Sequence, residues 1–248
     1  MIYYNIRKRK TIFLFGHRGA PQILHENSID SILKSIELGS HGIETDIQIT
    51  KDNKIILFHD DFIVFNNQQH LIRNNSYKKI SEFCTETKRP TPDLFEDLIP
   101  LIHKNPHIVF NIEIKSRLLN NYKILRHILN QLPKETLHNQ CIISSFNYCL
   151  LYQLHFFLSY KGPIALILAS EHLKGKLSLK TNKAIITILK PQFLHININN
   201  TTKSLVEWAH KQFMIINTYT VNDKDTLIKC ISMGIDGVFT DNHNLYLK

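Results

Sequence analysis

No apolar run in this chain approaches the roughly 18 residues of a helical membrane span, so no stable membrane insertion is expected. Cysteine is scarce. Cys84, Cys141, Cys149 and Cys230 are scattered without metal-ligand spacing, which argues against a thiolate metal site and against a disulfide framework. Free thiols in a reducing compartment follow, and with them a cytoplasmic location. The opening "MIYYNIRKRKTIFLFGHRGA" imitates a secretory leader, but its apolar part is only Ile12 to Phe15 and no small-residue cleavage site follows. Internal repeats and low-complexity tracts are missing, which sets solenoids and disordered scaffolds aside. Aromatic-basic interleaving and known nucleic-acid motifs are missing too, so no nucleic-acid partner is expected.

Acid is also in short supply. Against 30 Lys and Arg stand 21 Asp and Glu, a formal charge of +9. Two readings stay open: a solvated surface of a Lys-, Asn- and Ile-rich composition, or attraction of an anionic substrate or membrane headgroup.

What is present has the size and rhythm of an α/β barrel. The 248 residues match the ~250 of an eight-stranded barrel. Apolar strand candidates lie at 12–16, 42–49, 55–59, 108–115, 141–145, 163–169, 193–198, 214–220 and 236–240. Helical stretches fall between them at 27–38, 94–104, 119–132, 147–158, 171–189, 202–212 and 223–232. This alternation predicts a parallel sheet wrapped by helices. Nine strands are one too many for the barrel, and "TKDNK" makes 42–49 and 55–59 the natural hairpin pair. Residues 61–91 break the rhythm and predict a small insertion after the second strand, within one domain spanning 1–248; its run Phe62 to Phe65 reads as core of that insertion, with a lipid-facing lip as the alternative.

Chemistry gathers where strands end. Residues two apart on a strand share a face. Glu44, Asp46 and Gln48 therefore oppose Ile43, Ile47 and Ile49; Asn111, Glu113 and Lys115 oppose Phe110, Ile112 and Ile114; His195, Asn197 and Asn199 oppose Leu194, Ile196 and Ile198. A helix-covered parallel sheet is normally apolar on both faces, so the polar faces should point into the barrel. Carboxylates there need a partner. Either Glu44, Asp46 and Glu113 hold a hard divalent cation, Mg²⁺ or Ca²⁺, or Arg18 and Lys115 neutralise them as structural ion pairs. His17 and His59 each end an apolar run, and imidazoles suit proton transfer near neutrality. Gly16 and Gly19, flanking His17 and Arg18, are expected to let the backbone close on a small anion.

The blocks "GHRGAP", "HENS", "GIETDIQITKDNKIILFHDD" and "NIEIK" resemble the signature of the glycerophosphodiester phosphodiesterase family, in the phospholipase C-like phosphodiesterase superfamily. "PDLFEDL", "ISSFN", "YTVND" and "MGIDGVFTDNHNL" resemble its later blocks in the same order. The resemblance implies a (β/α)8 TIM barrel that hydrolyses small glycerophosphodiesters to sn-glycerol 3-phosphate and an alcohol. It implies His17 and His59 as the acid-base pair and Glu44, Asp46 and Glu113 as ligands of one divalent cation. Arg18 and Lys115 would hold the phosphate, with Tyr219 in the substrate wall where the family carries tryptophan. Glu26 and Asn27 would border the metal or the side chains around it, although Asn27 reads equally as the N-cap of the helix that follows. An intracellular lysophospholipase D-like activity and a non-catalytic phosphate-binding barrel are the alternatives. His243 stands where the family commonly has proline, a change expected to matter little.

Overall fold

The computed structural model describes Ile2, Ile6 and residues 11–116, 122–168 and 184–245. Its strands are β1 (Phe13–His17), β2 (Gly42–Ile49), β3 (Ile55–Leu57), β4 (Phe62–Phe65), β5 (Gln68–Leu71), β6 (Val109–Ile114), β7 (Cys141–Ser145), β8 (Ile164–Leu168), β9 (Phe193–Asn197), β10 (Ile215–Tyr219) and β11 (Gly237–Thr240). The helices are α1 (Ile29–Glu37), α2 (Tyr77–Glu86), α3 (Phe95–Lys104), α4 (Tyr122–Gln131), α5 (Lys134–Asn139), α6 (Tyr148–Tyr152), α7 (Lys203–Lys211) and α8 (Lys224–Met233). Eight parallel strands run β1-β2-β6-β7-β8-β9-β10-β11, and β11 pairs back onto β1 to close the barrel. The expected (β/α)8 barrel is the observed fold.

β3 is the ninth strand, paired antiparallel outside β2 with Ile47 opposite Leu57. The expected strand 55–59 stops at Leu57, so His59 stands in the connection beyond it. The insertion holds the β4–β5 hairpin and α2 around its own small core of Ile63, Ile72, Ile80, Phe83 and Cys84. Of the four apolar residues expected to fill that core, Ile63 is buried and Phe65 packs on it, but Val64 is 44% exposed. The helix expected at 147–158 is α6 continued by a wider π-helical turn, Gln153–Phe157. The stretch expected at 119–132 is followed by a second short helix, α5, that the periodicity did not announce. Residues 117–121 and 169–183, and with them most of the expected helix 171–189, lie outside the described residues.

Strand alternation explains the layers. Outward residues such as Ile43, Ile47, Phe110, Ile112, Leu194 and Val238 pack under the helices in the main core. Inward residues divide by height. Near the N-terminal ends of the strands, Phe15, Val109, Ile142, Ala165, Phe193 and Ile215 form an apolar floor, closed by Ile2 and Ile6. Toward the C-terminal ends the same inward positions become Glu44, Asp46, Asn111, Glu113 and His195, all buried. An apolar floor beneath charged side chains keeps water from one side of them, and that raises the cost of every unpaired charge.

Candidate active site

Register assembles the site. Pairing of β1 with β2 sets His17 beside Glu44, and pairing of β2 with β6 sets Asp46 beside Glu113. One carboxylate oxygen from each of Glu44, Asp46 and Glu113 lies within 4.8 Å of the others. They face a cavity of about 270 Å³ at the C-terminal mouth of the barrel, whose lining includes His17, Arg18, His59, Lys115 and Tyr219. Widely separated segments thus meet in one space, as the strand-end pattern predicts.

The three acids are unequal. Burial, with Asp46 and Glu113 close by, holds the Glu44 carboxyl well above the usual carboxylate range. Burial and the Asp46 charge push Glu113 up to about 7. Asp46 goes the other way: burial would raise it, but Lys115 and Arg18 outweigh that and lower it. Lys115 Nζ lies 2.6 Å from Glu113 Oε1 and 3.3 Å from Asp46 Oδ1, and Arg18 Nε lies 3.3 Å from Asp46 Oδ2. Both expected roles of the two cations therefore coincide in place, since they pair with the acids and also line the cavity. Glu44 Oε2 accepts the Arg18 backbone N–H at 3.0 Å, whereas its buried Oε1 has no hydrogen-bond partner among the described residues. Three converging carboxylates, with one buried Glu44 oxygen unpartnered, suit a divalent cation of the Mg²⁺ or Ca²⁺ kind.

The imidazoles are oriented from behind. His17 Nδ1 is 2.7 Å from Asp241 Oδ1, and Asn222 Nδ2 donates to Asp241 Oδ2 at 2.8 Å. His17 Nε2 lies 3.9 Å from Glu44 Oε2. His59 Nδ1 is 2.8 Å from Asp60 Oδ1. The buried Gln48 amide reaches the carbonyls of Phe58 at 3.2 Å and His59 at 3.1 Å, and that of Asp60 as well, which fixes the connection carrying His59. Asp241 and Asn222 escaped the sequence reading. Asp241 lies in "MGIDGVFTDNHNL" and Asn222 in "YTVND", yet an isolated Asp after a strand carries no pattern; only barrel closure brings β11 beside β1.

Several expectations need correction. Asn27 does not cap α1: Ser28 does, its side chain accepting the Ser31 N–H at 3.1 Å. Asn27, with a positive φ of 53°, instead donates Nδ2 to Asp46 Oδ2 at 3.0 Å, while its Oδ1 accepts from Thr45 Oγ1 and the Asp46 N–H at 2.9 Å each. That left-handed turn, which asparagine tolerates, aims the amide at the carboxylate. Glu26 is where it was expected, beside the site's own side chains: it grips Arg18 Nη1 with both oxygens at 3.0 Å. For Gly16 and Gly19 the structure gives a packing reason. A Cβ on Gly16 would sit 1.9 Å from Ser35 Oγ and one on Gly19 2.5 Å from Ser31 Oγ, so both let α1 pack on β1. Asn199 is off the predicted face because β9 ends at Asn197 and Asn199 lies in a 3-10 turn. His243 is buried with Nε2 2.7 Å from Ser35 Oγ, a structural contact the sequence reading passed over.

Two more side chains complete the cavity. Tyr219, at the end of β10, donates its hydroxyl to the Leu168 carbonyl at 3.3 Å, and burial raises its phenol further above the usual range. His195 accepts from Asn217 Nδ2 at 3.3 Å, and burial alone lowers its imidazole to about 3. It is a neutral wall.

A profile of the glycerophosphoryl diester phosphodiesterase family matches residues 17–245. The chain belongs to that family. It is thereby a phosphoric diester hydrolase. It is 26% identical over 237 residues to a glycerophosphodiester phosphodiesterase of Bacillus altitudinis, covering 92% of this chain and 94% of that one. It is 27% identical over 245 residues to the enzyme of that name from Caldanaerobacter subterraneus subsp. tengcongensis, covering 94% and 95%. Among solved structures, an Oleispira antarctica phosphodiesterase in complex with the product sn-glycerol-3-phosphate superposes with a TM-score of 0.79 at 19% identity, over 99% of this chain and 98% of that one. A Thermotoga maritima glycerophosphodiester phosphodiesterase gives 0.73 at 21% identity, over 96% and 98%. At such identities these two structures speak to the fold.

Proposed function

We propose that this phosphodiesterase hydrolyses small glycerophosphodiesters to sn-glycerol 3-phosphate and an alcohol, with His17 and His59 moving protons and Glu44, Asp46 and Glu113 holding one Mg²⁺ or Ca²⁺. The observation that carries the reading is the convergence of two imidazoles and three carboxylates on one cavity. The product named for the Oleispira antarctica structure matches the anion this cavity would release. A cytoplasmic setting, drawn from the free thiols, belongs to the same reading.

Charge balance supports it. With Glu26 on Arg18, the four acids Glu26, Glu44, Asp46 and Glu113 outnumber Arg18 and Lys115 by two, and a divalent cation offsets that deficit. The neutralised cluster leaves the cation's own charge and the two side-chain cations to face the phosphodiester. When bound, the cation supplies Lewis-acid polarisation of a phosphoryl oxygen. The chain's own groups do the rest. Each proposed histidine is held at Nδ1, by Asp241 or Asp60, which leaves Nε2 to face the substrate. One imidazole takes the proton of the glycerol 2-hydroxyl as its oxygen bonds to phosphorus. The other gives a proton to the departing alcohol oxygen as its bond to phosphorus breaks. Water then opens the cyclic phosphate with the proton roles reversed. Arg18 and Lys115 border the phosphate, and Tyr219 walls the glycerol side.

The test is release of glycerol 3-phosphate from glycerophosphocholine, with lysophosphatidylcholine run alongside and a chelator arm for each. Turnover of the first that stops with chelator and returns with Mg²⁺ or Ca²⁺ is expected. Hydrolysis of lysophosphatidylcholine alone would move the assignment to a lysophospholipase D, and turnover indifferent to chelation would remove the cation from it.

A further inference from the structure

The outer side of the barrel around α6 combines two features that the active site does not use. Tyr148, Tyr152 and Phe157 are 49%, 40% and 67% exposed, and across from them Ile188, in the helical residues 184–189, is 56% exposed. Together with Ile185 and Leu189 they line an open trough of about 400 Å³ that is almost wholly apolar, with room for a lipid acyl segment. The rings form one group, Tyr152 lying 4.5 Å from Phe156 and 5.7 Å from Phe157 between centroids. Contiguous exposed aromatics on a water-soluble fold mark a contact surface.

Charge identifies the partner. The chain carries a net charge of +9, and two exposed lysines follow the trough residues in the chain: Lys161 lies four residues beyond Phe157 and Lys190 directly follows Leu189. Two copies meeting through this face would bring like charges together, which disfavours self-association. Aromatic rings beside lysines instead match an anionic bilayer surface, where rings enter the headgroup layer and lysines stay at the phosphates.

We propose that the α6 face docks this enzyme peripherally on anionic membranes. No helix among the described residues is long and apolar enough to cross a bilayer, and docking needs none. The face begins at the mouth of the barrel: Tyr148 is two residues from Phe146, which lines the catalytic cavity. Lys161 and Lys190 precede β8 and β9, toward the floor end, so a docked molecule lies with the side of its barrel on the surface.

Cosedimentation of the full-length protein with vesicles of phosphatidylcholine, alone or with phosphatidylglycerol, tests the docking without any turnover, so it stands or falls separately from the proposed reaction. Retention by the anionic vesicles at low salt, release by added salt, and little retention by phosphatidylcholine alone are expected. The pair Tyr152→Ser with Phe157→Ser should weaken retention by about tenfold or more, as should Lys161→Glu with Lys190→Glu. Neither pair should change hydrolysis of a water-soluble diester. Ile228→Ser, on the exposed side of α8, should bind like wild type. Absence of retention, equal retention of the aromatic pair, or equal loss with Ile228→Ser would overturn the proposal. So would aromatic-dependent dimerisation in sedimentation equilibrium without vesicle binding.

Discussion

His17 leans on Asp241, whose side chain is 27% exposed and is itself held by Asn222, whereas His59 leans on Asp60, 62% exposed at the rim. A partner that is shielded from water and fixed by a second hydrogen bond orients an imidazole more firmly than one that solvent competes for. His17→Ala and His59→Ala are expected to lower kcat by about 10²–10⁴-fold while thermal unfolding stays cooperative. Either variant folding normally at near wild-type turnover would exclude that residue from proton transfer. Asp241→Asn should reduce kcat on the order of tenfold or more with KM little changed, and it should also reshape the pH–rate profile. Asp60→Asn should do so less. Equal effects of the two would show that burial of the aspartate is irrelevant to how the imidazole is held.

At the scale of elements, the close packing of α1 on β1 carries the loop that delivers His17, Arg18 and Asn27. Ser35 Oγ, on the buried side of α1, occupies the space that a side chain at Gly16 would need. It also bonds Ser40 Oγ and His243 Nε2, each at 2.7 Å, so it has little freedom to move away. Gly16→Ala is therefore predicted to destabilise by about 1–3 kcal/mol, read from denaturant midpoints. A neutral result would mean that α1 shifts freely on the barrel. The packing role of the two glycines is not legible in sequence, because only the fold lays α1 against them.

For the molecule as a whole, the buried His195 makes acid stability a readout of the barrel interior. Its imidazole lies at about 3 in the fold against an ordinary 6.5. Between those values the unfolded chain holds a proton that the folded chain lacks. Stability from this group is complete above 6.5 and falls with falling pH, by at most about 1.4 kcal/mol per pH unit. Glu113 acts in the opposite sense, because its raised carboxyl, at about 7 against 4.5, binds a proton more readily folded than unfolded. The informative quantity is thus a difference between variants. His195→Asn, melted with chelator present, should lose stability less steeply than wild type as pH drops from about 6.5 toward 4. Parallel slopes would mean that His195 is not kept neutral by burial.

By itself the sequence determined the barrel, the outer hairpin strand and the inward polar face. These follow from period-two alternation and from apolar runs separated by helical stretches, both local properties of the chain. It also carried Glu44, Asp46, Glu113, His17 and His59 as candidates, since each interrupts an apolar strand or ends one. The tertiary structure alone decided what those groups lean on. Asp241 and Asn222 support His17 because closure sets β11 against β1, and Asn27 meets Asp46 because a left-handed turn hands the helix cap to Ser28. Hydrogen bonds between residues as many as 224 positions apart depend on register and closure, which no local pattern encodes.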